Sequence, residues 1–367
     1  MREGWTYKKL NEVCDKGSSN IVINKLEDNN GDYPLYGASG LVKNVDFYHQ
    51  DKPYIGIVKD GAGVGRVNTY PAFSSLVGTM QYILAKEDCL LDYIKYFLVK
   101  LDLSHCVSGA TIPHIYFKDY GKERIPVPTI DVQQSIVAEL DKINELIGLK
   151  KSQLSDLDSL AKSIFYGMFG NPVENEKGWE VKKLKEIGRI MTGNTPSKSV
   201  SEYYNNNFIE WIKTDNIEKN QLYATEAKQY LSERGANCGR VVNKGSLLVA
   251  CIAGSLDSIG KACVTDRRVA FNQQINAIVP YGNIDILFLF HLVARMKGII
   301  QERASTGMKH ILTKSVMEDI AVPLPPLPLQ QSFATQITAI EQQKQRISAS
   351  IKDLETILAS RMQYWFD

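Results

Sequence analysis

Ile125-Pro126-Val127-Pro128, then Gln133-Gln134, then a long mixed run to about Met168: this stretch decides the fold, because it returns. Its second copy is Val322-Pro323-Leu324-Pro325, followed by Gln330-Gln331 and another run of the same kind. Upstream, Gly4-Trp5-Thr6-Tyr7-Lys8-Lys9-Leu10 returns as Gly178-Trp179-Glu180-Val181-Lys182-Lys183-Leu184. Each copy reads as a globular segment, a proline-marked hinge and a helix. Tandem duplication of a whole domain-plus-helix unit predicts a pseudo-twofold molecule with two similar surfaces.

In the first run the apolar positions are Ile136, Leu140, Ile143, Ile147, Leu154, Leu157, Ala161, Ile164 and Met168, with Lys150 in the one missing slot. The spacing alternates four and three, the signature of a heptad seam. The second run gives Phe333, Ile337, Ile340, Lys344, Ile347, Ile351, Leu354, Leu358, Arg361 and Trp365 at the same offsets. Each helix has a face that requires a partner, and the expectation is an antiparallel coiled coil between them. The alternative is that each seam packs onto its own globular domain. About 33 residues at 1.5 Å rise make a rod of roughly 50 Å. That is comparable to about fourteen base pairs of B-DNA at ~3.4 Å each. Pro126, Pro128, Pro323, Pro325, Pro326 and Pro328 read as a stiff approach just before the helices.

The 367 residues fit two globular domains, and 44% hydrophobic with 23% charged residues suits chains that bury real cores. The most apolar stretch, Ile284 to Ile300, contains Asp285, His291, Arg295 and Lys297, so it reads as an amphipathic helix and not a membrane span. The first five residues carry no apolar signal core, and a cytoplasmic location is expected. Cys14, Cys89, Cys106, Cys238, Cys251 and Cys263 form no CxxC pair and are expected to be reduced and buried, without metal. Net charge is +2; residues 1–130 hold 15 basic and 15 acidic side chains, and residues 170–327 hold 20 and 16. This balance does not announce a nucleic-acid binder, so any DNA contact depends on local patches or partner subunits.

Both globular halves read as mixed α/β with many short strands. Tyr54–Val58 and Gly78–Leu84 are predicted strands in the first, Ser246–Ile252 and Ile275–Val279 in the second. Leu91–Leu101 and Ile284–Lys297 are predicted helices in matching places. Asp60-Gly61-Ala62-Gly63-Val64-Gly65 lacks the GK[ST] ending of a P-loop and reads as a strand-to-strand turn. Its backbone amides are candidates to approach phosphates, with Lys59 and Arg66 flanking.

The stretch from Thr192-Gly193-Asn194-Thr195-Pro196-Ser197-Lys198 through Tyr203-Tyr204 to Ile209-Glu210-Trp211-Ile212-Lys213-Thr214-Asp215-Asn216-Ile217 resembles the start of a target-recognition domain in specificity subunits of type I restriction–modification systems. Tyr33-Pro34-Leu35-Tyr36-Gly37-Ala38-Ser39-Gly40 resembles another opening of such domains, and Ile57–Gly61 and Phe271-Asn272-Gln273-Gln274 fit the same families. The resemblance covers essentially the whole chain. It implies four segments: a first target-recognition domain at 1–130, a spacer helix at 131–169, a second domain at 170–327 and a second spacer helix at 328–367. It implies a non-catalytic subunit that binds double-stranded DNA and reads a bipartite, asymmetric site, one domain per half-site. Two methyltransferase subunits, and restriction subunits in some assemblies, are the implied partners. They would carry the S-adenosylmethionine, ATP and Mg. The residues agree by omission: no adenine-methyltransferase Asn/Asp-Pro-Pro-Tyr/Phe motif, no Walker lysine and no metal-spaced histidines appear, and Asn171-Pro172-Val173-Glu174 reads as a helix-terminating turn. One departure is Gln133-Gln134 and Gln330-Gln331 where the family often has Glu-Gln. It removes an acid from the helix N-terminus.

Base reading needs side-chain amides, hydroxyls or basic groups on loops, and positioning needs basic groups at phosphates. The candidates in the first half are Lys43, Lys59, Arg66, Thr111, His114 and Lys118. In the second they are Thr195, Ser197, Lys198, Lys213, Thr214, Ser255, Lys261, Lys309 and His310. Ser305-Thr306-Gly307-Met308-Lys309-His310 echoes Ser108-Gly109-Ala110-Thr111-Ile112-Pro113-His114, just before the hinge in both copies. Trp211, Tyr36 and Tyr116 read as core; Asn272-Gln273-Gln274 reads as either an adenine reader or a buried turn. The rival class is an interaction scaffold with two ligand-binding domains on a coiled coil and no DNA. An enzyme ranks third, because no convergent carboxylate or histidine cluster is evident.

Overall fold

The computed structural model describes residues 4–109, 111–219, 221–305, 307 and 309–367. The chain forms two compact units: Met1–Lys151 together with Ala349–Asp367, and Ser152–Ser348. Two 40-residue helices, Ile130–Phe169 and Leu327–Phe366, each contribute to both units.

In each unit the repeated opening and the proline motif turn out to be partners. Thr6–Lys9 pairs antiparallel with Arg124–Val127, placing Tyr7 opposite Pro126. Glu180–Lys183 pairs with Ala321–Leu324 in the same register, Val181 opposite Pro323. The proline segments are therefore strands as well as hinges. A two-stranded ribbon consists of edges only, so a residue without an N–H is tolerated. Pro328 is not ahead of its helix but inside the first turn, where an amide has no intrahelical partner to lose.

Behind this ribbon, the first unit has an antiparallel sheet of Cys14–Ser18, Met80–Ala85, Tyr54–Val58 and Val67–Tyr70, in that order. The second unit repeats it with Gly188–Thr192, Ile275–Pro280, Leu247–Ala250 and Ala262–Val264. The helices Leu91–Leu101 and Ile286–Arg295 follow in equivalent places. The central strands are buried on both faces, which is why Tyr54-Ile55-Gly56-Ile57-Val58 is apolar without alternation. A distal sheet differs between the units. It has three strands in the first, with Tyr33–Gly37 parallel to Ser75–Leu76. It has four in the second, with Ile209–Ile212 parallel to Val269–Phe271 and two further short strands.

All twelve principal seam residues from Ile136 to Leu157 and Ile337 to Leu358 are buried or half-buried. Within the first unit, Glu139 accepts from Arg361 and Trp365, and Lys151 meets Glu355 at 3.1 Å. Within the second, Lys344 meets Asp158 at 2.8 Å and Glu341 at 2.9 Å. Inside each unit the two helical segments therefore run side by side in opposite directions. Lys344 interrupts the seam without wasting the slot, because two carboxylates neutralise it.

The seam does not account for all helix packing. Ile136 and Leu140 join the core of the first unit, along with Phe366, whose ring lies 5.0 Å from Tyr93 and 5.8 Å from Phe97. Phe165 and Phe169 enter the core of the second unit against Phe288 and Phe333. The repeated tryptophans dock at helix ends: Trp5 stacks on Trp365 at 6.2 Å, and the Trp179 indole donates to the Phe169 carbonyl at 2.9 Å.

Gln133 and Gln330 are fully buried. Gln133 Oε1 accepts from the Leu90 amide at 2.9 Å, while Nε2 donates to the carbonyls of Asp88 and Pro128, both at 3.0 Å. Gln330 repeats this with the Asp285 amide at 2.9 Å and the Pro325 carbonyl at 2.8 Å. These glutamines tie the proline strand to the approach of the domain helix. The dipole argument from sequence missed this role, since the side chain faces inward and not the solvent at the helix start.

Candidate nucleic-acid interface

In the first unit the glycine-rich turn links two antiparallel strands, as its sequence predicts. Gly61, Gly63 and Gly65 have φ of 83°, 86° and 86°, a region that side chains with Cβ rarely occupy. The turn uses its own amides: Gly61 donates to Pro113, Val64 to Gly61, and Gly65 to Val58. Of the backbone amides offered as phosphate contacts, these three are spent holding the turn and its neighbour together. That neighbour is the pre-hinge loop. Asp60 bridges His114, Ser108 bridges His114, and the Ile115 amide donates to the Lys59 carbonyl at 2.9 Å. Thr111 and His114 thereby share the wall of a concavity of about 720 Å³ with Asp60, Gly61 and Thr79.

The second unit builds the same device. His310–Ile311 pairs with Ile252–Ala253, and Ser305 bridges Ile311 as Ser108 bridges His114. Even the serine hydroxyls match: Ser108 Oγ donates to the His114 carbonyl at 3.3 Å and Ser305 Oγ to the Ile311 carbonyl at 3.2 Å. Beside it, Thr214, Lys261 and Gln274 line a concavity of about 720 Å³. Ala110, Thr306 and Met308 of the echoing stretches lie outside the described residues.

The other candidates divide by their partners. Lys43 Nζ donates to the Leu26 carbonyl at 2.7 Å, and Arg66 donates to the Ala38 carbonyl at 2.8 Å, so both brace loops of the distal sheet. Lys59 lies 3.8 Å from Asp60. Lys118 sits 5.1 Å over the Tyr116 ring. Thr195 is hydrogen-bonded to Gln273, Ser197 Oγ lies 2.7 Å from Ser199 Oγ, and Ser255 Oγ lies 3.1 Å from Ser258 Oγ. Lys198 is exposed beside Tyr204 and Lys228 at a separate concavity. Lys213 donates to Gln229 at 2.6 Å and covers the buried Trp211 ring at 4.8 Å. Lys309 is exposed and His310 half-buried. The structure thus gathers Lys59, Thr111 and His114 in one unit, and Thr214 and Lys261 in the other, while Lys43, Thr195, Ser197 and Lys198 do not line these two concavities.

Two expectations from sequence are corrected. Tyr116 is not core: it is 48% exposed, its ring lies 5.0 Å from His114, and Lys118 Nζ lies 5.1 Å from the ring centre. An exposed aromatic next to two DNA-contact candidates suits stacking on a base or sugar. Cys238 is exposed, whereas Cys14, Cys89, Cys251 and Cys263 are buried, and burial pushes each of those four thiols up to about 12. Asn272 is buried in a turn: its Oδ1 accepts from the Gln274 amide at 3.1 Å and its Nδ2 donates to Gln274 Oε1 at 3.0 Å. Gln274 rather than Asn272 lines the concavity.

The sequence reading missed the anchor of the second distal sheet. Arg267 forks onto Glu210 at 2.5 and 2.6 Å and also donates to the carbonyls of Ala224 and Thr225. The guanidinium holds the Glu210 carboxyl below its ordinary range. Glu210 stands one residue before Trp211 in the motif that carries the resemblance, so its acidity is structural: it fixes the strand that presents Lys213 and Thr214.

The chain belongs to the family described as the type I restriction modification DNA specificity domain, which matches residues 2–158 and again 176–356. It is 26% identical over 314 residues to the MjaVIII specificity subunit of Methanocaldococcus jannaschii, covering 77% of this chain and 73% of that one. It is 24% identical over 249 residues to the EcoR124I/EcoR124II specificity subunit of Escherichia coli; that match covers 64% of this chain and 59% of the relative. Among solved structures it shares the fold of the M. genitalium type I restriction–modification S subunit, with a TM-score of 0.61 and 15% identity over 99% of this chain and 96% of that one.

Proposed function

We propose that the chain is the non-catalytic specificity subunit of a type I restriction–modification complex in the cytoplasm, reading a bipartite and asymmetric DNA site. The target-recognition domains are residues 1–130 and 170–327, and the helices at 131–169 and 328–367 form the antiparallel coiled coil that spaces them. Two methyltransferase subunits, with restriction subunits where present, supply S-adenosylmethionine, ATP and Mg chemistry around this scaffold.

One observation carries the reading. Both units hold a pre-hinge loop against a turn in the same way, beside a distal sheet that differs between them. A shared frame with divergent outer sheets suits two readers of unlike sequences. Lys59, Thr111, His114 and the exposed Tyr116 form the first interface; Thr214, Lys261, Lys309 and His310 form the second. Phosphate contacts from the lysines position the duplex, and hydroxyl, imidazole and amide groups meet base edges. Other surface candidates, including Lys43, Arg66, Lys118, Thr195, Ser197, Lys198, Lys213 and Ser255, support the backbone path or the loops.

The test exchanges residues 1–130 for another domain of the same class and maps methylated adenines in cells that carry the methyltransferase partner. One half-site changes and the other stays. A change in both, or in neither, refutes the two-reader assignment.

A further inference from the structure

The second unit contains a cavity of about 530 Å³ that adjoins the loop-on-turn concavity and shares Glu218, Lys219 and Lys261 with it. Its walls come from the first long helix around Lys162 and Tyr166, from Lys219 and Lys261, and from the helix that ends at Arg295. Its centre of interest is Arg295. That guanidinium donates to the His291 carbonyl at 3.0 Å, lies 3.1 Å from His291 Nδ1, and covers the Phe165 ring at 4.7 Å. Its side-chain hydrogen bonds among the described residues go to His291 alone, and its Nε is buried without a hydrogen-bond partner. Burial pulls Arg295 down to about 10. His291 beside it is neutral, pulled down to about 3 by burial first and then by Arg295 and Lys344.

The cations around Arg295 are not neutralised from within. The lining holds Lys162, Lys219, Lys261, Arg295, Lys297 and Lys344 against Asp158, Glu218 and Glu341, six positive and three negative groups. Asp158 and Glu341 are taken by Lys344, and Lys297 pairs with Asp257 at 2.8 Å, while Glu218 accepts from the neutral Gln221 amide and keeps its charge. Among the described residues, Lys162, Lys219, Lys261 and Arg295 line the cavity without a salt bridge, against the single carboxylate of Glu218 that no cation pairs. A half-buried guanidinium over an aromatic ring is costly unless an anion satisfies it. A planar fork with several lysines around it matches a phosphoryl group better than a lone carboxylate. The cavity is also larger than one phosphate needs and lies within the range of small-molecule sites, about 300–1,000 Å³. Tyr166 and Phe290 supply apolar wall.

We propose that this cavity binds a small phosphorylated molecule, with Arg295 as the primary anchor and Lys162, Lys219 and Lys261 closing around the phosphoryl oxygens. Lys261 is shared with the proposed DNA-reading surface, whereas Arg295 and Lys162 belong to this cavity alone. The phosphoryl group has a second conceivable source, a backbone phosphate of bound duplex, and the experiment separates the two.

Full-length protein is titrated with pyrophosphate and with ADP at constant ionic strength, with thermal unfolding and calorimetry as readouts. Saturable binding is expected, with a gain in stability that follows the occupied fraction. Arg295→Gln abolishes it. Because that variant disturbs a core contact, Lys162→Gln combined with Lys219→Gln serves as the second test and weakens binding by about tenfold or more per lost contact. No saturation of the wild-type protein, or equal affinity in the double variant, overturns the proposal. Affinity for a twenty-base-pair duplex is then compared between the wild type and the Lys162→Gln/Lys219→Gln variant: an unchanged affinity supports a small-molecule site, and a loss that matches the loss of pyrophosphate binding assigns the pocket to the DNA backbone and overturns it.

Discussion

Truncation of Gln133 to alanine removes a buried side chain that makes three hydrogen bonds between the proline strand, the approach to the Leu91–Leu101 helix and the start of the long helix. The Leu90 amide loses its acceptor, and the Asp88 and Pro128 carbonyls lose a donor. A net hydrogen bond is worth about 0.5–1.5 kcal/mol, and a stranded buried donor about 1–3 kcal/mol, so the loss is about 3 kcal/mol. For a unit of this size each kcal/mol moves the midpoint by about 2–4 °C, giving a fall of roughly 6–12 °C. Hydrogen exchange localises the effect: protection of the Leu90 amide falls on the order of 100-fold. Gln330→Ala is an internal control with one acceptor fewer at stake; its loss is smaller by about 1 kcal/mol. Gln133→Glu sharpens the logic. A carboxylate oxygen replaces Nε2 and faces two carbonyl oxygens, so the introduced carboxyl has a raised pKa. Its neutral form fits best, and this variant regains stability on acidification below neutrality. A change under about 0.5 kcal/mol in Gln133→Ala, or a larger one in Gln330→Ala, would refute the staple.

Phe366→Ala opens a hole beside Tyr93 and Phe97 and is expected to cost about 3–5 kcal/mol, read by urea unfolding of the full chain. His291 gives the second unit an acid limit. Its folded value, about 3, lies below the 6.5 of an ordinary histidine. The unfolded chain therefore takes up a proton that the folded chain refuses. Stability is full above pH 6.5 and falls by up to about 1.4 kcal/mol per unit below it. His291→Gln flattens that slope between pH 6.5 and 5, and an unaltered slope in urea midpoints would discard the assignment. Ile143→Asp with Leu354→Asp buries unpaired charge in the seam of the first unit. It is expected to alter the half-site spacing tolerated in methylation mapping; unchanged spacing and assembly count against the spacer role.

Much of the frame was legible because duplication supplies its own control. The central strands and the domain helices stand where the paired segments predict, and the ribbon strands fall on the repeated motifs whose sequence reads as an entry and a hinge. What escaped had a physical cause in each case. Phe165, Phe169 and Phe366 lie off the heptad positions, so a reading tuned to the seam passed over the side chains that enter the domain cores. Gln133 was judged by charge at a helix start, while its burial is set by tertiary structure. Tyr116 was placed in the core by residue type, which says nothing of which side of a loop it stands on. Arg267 and Glu210 are 57 residues apart and have no local signal. One signal was available: the offset of 197 that relates the glutamine pairs also relates Phe169 to Phe366 and Asp88 to Asp285.

The first unit is assembled from residues up to Lys151 and a segment that begins at Ala349, while the second is one continuous stretch. During synthesis at roughly 5–20 residues per second, on the order of ten to forty seconds separate the two pieces of the first unit. Through that interval the slot beside Tyr93 and Phe97 has no Phe366 to fill it, and Glu139 has neither Arg361 nor Trp365. The part made first is thus the part finished last. A ribosome that stops in the second half releases an N-terminal domain with an open apolar slot, a natural substrate for chaperones and proteases, whereas a chain that extends through Phe366 closes it with its own later segment.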